Sequence, residues 1–188
     1  MDLVLDIETI PEREDIIEKY RRSFPNKRKK EKPFALHPCT CQVVVIGMKP
    51  IGCKPVIFVG EEIDILVKAR EYLKNANPTR LVTFNGVGFD FPVLRWRAAR
   101  NNIQGLGRLL PGNRDPRCYD IYQKIRWELP MSLSEISMLL FGDPKEKDGS
   151  TVEKLYKENK IDELINYNAT DLEITEGVYL WKTDLFPS

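Results

Sequence analysis

The chain reads as an α/β protein, a mixed five-stranded sheet with helices on both faces, and three observations predict it. Leu3-Val4-Leu5-Asp6-Ile7 is apolar on both faces of an extended chain, as a central strand is. Gln42 to Gly47 and Pro55 to Gly60 are two apolar runs separated by a short connection with Pro50 and Gly52, which predicts an antiparallel hairpin. After them helical and extended patterns alternate, so Arg80 to Phe84 should lie beside the first strand through a crossover.

The remaining elements follow in order. Pro11 to Phe24 carries Ile16, Ile17 and Tyr20 at helical spacing, with Pro11 suited to a first turn. A basic run, Lys27 to Lys32, follows; it is either a solvated loop or a phosphate contact beside the site. Ile65, Leu66, Ala69, Tyr72 and Leu73 form one apolar stripe of a helix that stops near Asn77-Pro78. Phe91 to Asn101 reads as the next helix. Gly105 to Pro116 reads as a long exposed loop, and Cys118 to Ile121 as a short fifth strand. Ser132 with Glu135, and Ser150 with Glu153, are capping boxes that open two helices, with a polar loop between them. A last helix runs from about Ile161 to Trp181, and no internal repeat interrupts the chain.

A chain of 188 residues suffices for one α/β domain and is too short to hold a polymerase or helicase core as well, so residues 1–188 are read as a single domain. Apolar content of 42% and charged content of 30% are ordinary globular values, which exclude wholesale disorder. A net charge of +1 neither demands nor excludes a nucleic-acid partner. No apolar run is long enough to span a bilayer, and the first residues run straight into a strand, so no membrane association and a cytoplasmic location are expected. Cys39, Cys41, Cys53 and Cys118 contain only one close pair, and the single His37 does not complete a zinc set; reduced thiols are expected.

Chemistry enters through carboxylates in awkward places. Asp6 and Glu8 point to one face of the first strand. Either the strand ends at Asp6 and both acids are solvated, or it continues and they need a cation or hydrogen bonds. Asp90 follows two glycines in Asn85-Gly86-Val87-Gly88-Phe89-Asp90 and starts a helix, where an aspartate is also a good cap. In the last helix Leu164, Tyr167, Asp171, Ile174, Val178 and Trp181 share one stripe, which puts Asp171 on the face that packs against the protein. Tyr167 lies one turn before it on that face.

In order, Asp6-x-Glu8, then Asn85 with Phe89-Asp90, then Tyr167-x₃-Asp171 resemble the three motifs of the DnaQ-like, or DEDD, 3′–5′ exonucleases with the ribonuclease H-like fold. The tyrosine four residues before the last aspartate is similar to that of the tyrosine subclass, and the chain is similar to stand-alone exonucleases related to the family B DNA polymerase exonuclease domain. The resemblance takes in the SLSEISMLLFG and KDGS segments; the helix and basic loop of residues 11–40 form an insertion. It implies a metal-dependent exonuclease that shortens single-stranded DNA from its 3′ end to nucleoside 5′-monophosphates. Single-stranded RNA, or a silent nucleic-acid-binding module, is the alternative. It also implies two Mg²⁺ or Mn²⁺ ions held by Asp6, Glu8, Asp90 and Asp171, with Asp6 bridging, Asp90 acting partly through water and Tyr167 orienting the attacking water. Asn85, Phe89 and Thr9 are the implied substrate-binding residues, Phe89 by stacking unless it belongs to the core. Asp120 and Lys147 match auxiliary polar positions to which the sequence assigns no direct role.

Overall fold

The computed structural model describes residues 1–24, 34–126, 130–142 and 150–181. Its centre is β1 (Asp2–Pro11), which is flanked on one side by β2 (Cys41–Pro50) and on the other by β4 (Arg80–Thr83). With β3 (Val56–Val59) and β5 (Cys118–Asp120) at the edges, the sheet order is β3-β2-β1-β4-β5. The first three strands are antiparallel neighbours, and β4 and β5 are parallel to their neighbours, so the sheet is mixed as the patterns predict.

Alternation along β1 sorts its side chains into two layers. Leu3, Leu5 and Ile7 join the apolar cluster under α2 (Glu62–Ala76), α3 (Asp90–Arg100) and α4 (Leu106–Leu109). Val4 joins the opposite cluster with α6 (Leu133–Phe141) and α8 (Ile161–Leu180), and α7 (Ser150–Lys157) extends that layer. Asp6 and Glu8 keep phase with Val4 and so face α8. Opposite Glu8 the ladder slips: Glu8 pairs with Val45 but Thr9 pairs with Val43, which leaves Val44 as an extra residue on β2. Val44 and Val45 consequently enter one apolar cluster although they are adjacent in sequence. A bulge at this point bends the strand pair beside the acidic residues.

Several expectations need correction. β1 does not end near Ile7, and Pro11 closes this strand instead of opening α1 (Glu14–Ser23). Strand pairing to β2 runs through Pro11 itself, a position whose missing N–H the strand end tolerates. The stretch from Gly105 to Pro116 is not one exposed loop: α4 lies in it, and Leu106 and Leu110 are buried among α2 and α3 residues. Glycine density there reads as a loop, but two leucines at helical spacing carry the packing. Phe84 lies beyond the end of β4, and a short helix, α5 (Ile121–Ile125), follows β5 with Asp120 as its cap. Trp181, placed on the buried stripe of the last helix, is 52% exposed, because α8 ends at Leu180 and the stripe ends with it. The Ser132–Glu135 capping box is present. Lys27 to Lys32, Lys147 and the Ser150 side chain lie outside the described residues.

Candidate active site

Three carboxylates from distant parts of the chain converge. One oxygen each of Asp6, Glu8 and Asp171 lies within 4.8 Å of the other two. Asp6 is half-buried, and Glu8 and Asp171 are buried. β1 supplies the first two because two positions on one strand face share a direction, and α8 supplies the third because it crosses that face. Asp6 Oδ2 accepts a hydrogen bond from Asn168 Nδ2 at 2.8 Å.

The sequence places Asp90 with this set, and the structure puts it beside the three rather than among them. Its Oδ1 accepts the backbone N–H of Ile7 at 3.1 Å. β4 pairs with β1 only as far as Val4, so beyond it the β1 backbone is open on this side and a side chain takes the place of a strand. Asp90 is buried, and burial pushes its carboxyl up to about 7; its own backbone N–H and that of Ile7 pull the other way, and Asp120 adds repulsion.

The loop before Asp90 is tightly specified. Asn85 has a left-handed backbone, φ 65°, which asparagine tolerates. A Cβ on Gly86 would sit 2.4 Å from Thr83 Oγ1 and 2.6 Å from Thr83 Cβ, so glycine is required there for the close approach, while one on Gly88 would meet Asn85 Oδ1 at 2.5 Å and turn that side chain aside. Asp120, at the end of the neighbouring strand, clamps this loop. Its Oδ1 accepts Asn85 N–H at 3.0 Å and Gln123 N–H at 3.2 Å, and its Oδ2 accepts Val87 N–H at 2.9 Å. Burial raises the Asp120 carboxyl, and these backbone donors oppose that. Asp120 therefore positions the loop that delivers Asp90, a role the sequence left unassigned. No local signal announces it, because the turn lies more than 30 residues away in sequence and reaches Asp120 only through the pairing of β4 and β5.

Tyr167 is buried one turn before Asp171, its ring packed with Ile10, Val44, Val45 and Leu164. Phe89 is half-buried against the α2–α3 cluster. The Thr9 hydroxyl donates to the Ala35 carbonyl at 2.5 Å, so it holds the 3₁₀ turn Phe34–Leu36 over the end of β1. The cysteines are free: Cys39 and Cys53 are exposed, Cys41 is buried with its thiol pushed up to about 12 by desolvation, and Cys118 is pushed to about 11 for the same reason.

A sheet in which an antiparallel meander meets a parallel pair, with acids on the central strand facing a late helix, is a ribonuclease H-like α/β architecture. Residues 12–121, more than half of the chain, match the family described as DNA polymerase family B, exonuclease domain, and the chain belongs to that family. The match includes Asn85, Phe89, Asp90 and Asp120, and lies between the segments that carry Asp6 and Glu8 and those that carry Tyr167 and Asp171. Among solved structures the chain is similar to the family B DNA polymerase from the hyperthermophilic archaeon Pyrobaculum calidifontis, with a TM-score of 0.65 at 19% identity. That alignment covers 96% of this chain and 24% of the polymerase, so the chain spans about a quarter of its length, and the likeness is one of fold. Comparison with curated proteins gives no match. Among the described residues no helix is long and apolar enough to cross a membrane.

Proposed function

We propose that the chain is a 3′–5′ exonuclease domain that hydrolyses single-stranded DNA to nucleoside 5′-monophosphates with divalent cations at its acidic cluster. The observation that supports this most is the convergence of Asp6, Glu8 and Asp171 within 4.8 Å, the last more than 160 positions along the chain from the other two. Three clustered carboxylates repel one another, and an all-oxygen donor set of this charge suits Mg²⁺ or Mn²⁺. The set thus fits the metal that the family implies. A cation bound there supplies charge for hydrolysis of a phosphodiester and for the departing 3′ oxygen.

The chain's own residues have separate tasks in this reading. Asp6, Glu8 and Asp171 hold the cation. Asp90, which accepts the Ile7 N–H at the rim of the cluster, would help to hold a second cation, partly through water. Tyr167, fixed by its packed ring, orients water through its hydroxyl. Asn85 and Phe89 flank the tight loop and hold the terminal nucleotide, Phe89 by stacking on its base. Thr9 contributes through the turn it fastens rather than through a free hydroxyl. Residues 1–188 act as one domain, with the Phe34–Leu36 turn held against the end of β1 by the Thr9–Ala35 bond.

A 5′-labelled single strand incubated with Mg²⁺, Mn²⁺ or EDTA, and with the Asp171→Ala variant, tests the proposal. A stepwise ladder shortening from the 3′ end, abolished by EDTA and by the substitution, is expected. RNA of the same sequence run in parallel identifies the sugar. Binding of both strands without shortening would replace the enzyme with a binding module.

A further inference from the structure

One polar side chain at the site has no part in the chemistry above. Asn168 on α8 is fully buried. Its Nδ2 donates to Asp6 Oδ2 at 2.8 Å, while its Oδ1 is buried with no hydrogen-bond partner among the described residues. An amide so placed is costly, and a leucine of similar size would avoid the cost. What the helix gains from the amide is a hold on Asp6.

The opposing strand is shaped to permit that hold. Gly47 is the direct cross-strand partner of Asp6. A Cβ at Gly47 would lie 1.8 Å from Asn168 Oδ1 and 2.7 Å from Leu172 Cδ1, so any other residue there would push the amide out of its seat. Asn168 also stands three residues before Asp171 on the same helix, which places both on neighbouring positions of one face. α8 therefore delivers one carboxylate and restrains another with the same turn. The type of donor matters as well: Asp6 only accepts, so the amide nitrogen faces it, and a neutral donor fixes the carboxylate without neutralising the charge that a cation needs.

We propose that Asn168, seated on Gly47, is a positioning residue that fixes the Asp6 carboxylate for cation binding. This rests on the reading of Asp6, Glu8 and Asp171 as a cation site. Titrating metal-free protein with Mn²⁺ by calorimetry, with no nucleic acid present, tests it on wild type, Asn168→Leu, Asn168→Ala and Gly47→Ala. Both Asn168 variants should bind Mn²⁺ about tenfold or more weakly. In the strand-shortening assay their kcat should fall while KM for the strand holds. Gly47→Ala should weaken Mn²⁺ binding too, and its further effect on Mn²⁺ binding in the Asn168→Ala background should be smaller than in wild type, because only its contact with Leu172 is left. Asn168→Ala, which only opens space, decides the matter if Asn168→Leu does not fold. Folded Asn168 variants that bind Mn²⁺ as wild type does, whatever their melting temperature, would make the residue a packing element and overturn the proposal. A wild type that binds no Mn²⁺ would instead bring down the cation-site reading, and this inference with it.

Discussion

Two groups of carboxylates lie close together along the chain, one within β1 and one just past its end, and they are built differently. Just past β1, Glu12 and Glu62 close around Arg97: its Nη2 lies 2.7 Å from Glu12 and 2.6 Å from Glu62, and its Nε donates to Glu62 Oε1 at 2.7 Å. Val43 N–H and Asn101 Nδ2 add donors to Glu62 at 2.8 and 2.9 Å. There the oxygens are arranged around a guanidinium that the chain itself provides. Within β1, Asp6 and Glu8 are arranged with Asp171 of α8 around one another. The first group is a joint that ties β1, α2 and α3 together. The second has the form of a site, and α3, held in place by the first, carries Asp90 to its edge.

The comparison is broken most sharply by substitution on the two sides. Asp171→Ala should cost on the order of 10³-fold in strand-shortening rate, with retained DNA binding in a gel-shift assay. Arg97→Ala should instead lower stability by about 3–5 kcal/mol, because it strands two buried carboxylates, and the rate of the molecules still folded should change only a few-fold. Urea unfolding beside the nuclease assay separates these outcomes. If Arg97→Ala abolished activity without loss of stability, the joint would be part of the site.

The pH dependence sharpens the same contrast. Asp90 has its folded carboxyl raised to about 7, so between pH 4 and pH 7 the native protein keeps a proton that the unfolded chain has released. Its contribution to stability is therefore present at low pH and lost as pH rises through about 7. Metal-free wild type should lose on the order of 2–4 kcal/mol from this group between pH 4 and pH 8, and Asp90→Asn should flatten that slope. Asp120→Ala should cost about 1–3 kcal/mol, since it frees three backbone donors of the loop and of α5. The smallest effect is chemical: at pH 8 a thiol reagent should label the exposed Cys39 and Cys53 in the native protein, react more slowly with the partly exposed Cys118, and reach Cys41 only after unfolding.

Much of this was legible in the residues. The central strand announced itself because it is apolar on both faces, and Asp6 and Glu8 stood out because they interrupt it. Asp171 was found as a charge on an apolar helical stripe. What stayed hidden depends on tertiary approach. Asn168 follows Tyr167 as one more polar helix residue until α8 is laid over Gly47, and Gly47 reads as a mere strand end until the amide is seated on it. The role of Asp120 needs β4 and β5 side by side, which no local pattern states. α4 was missed because the glycines and prolines around it outweigh two leucines in a short window. Trp181 was misplaced because periodicity does not tell where a helix stops. Trp96 on α3 is 67% exposed.

The central claim, that the chain folds to bring Asp6, Glu8 and Asp171 around a shared cation, is tested most directly by crystals grown with Mn²⁺ and measured for anomalous scattering. The account predicts a peak among these three carboxylates, absent in crystals of Asp171→Asn. A protein that shortens DNA in Mn²⁺ while its crystals show no peak there, or one bound only elsewhere, would contradict it.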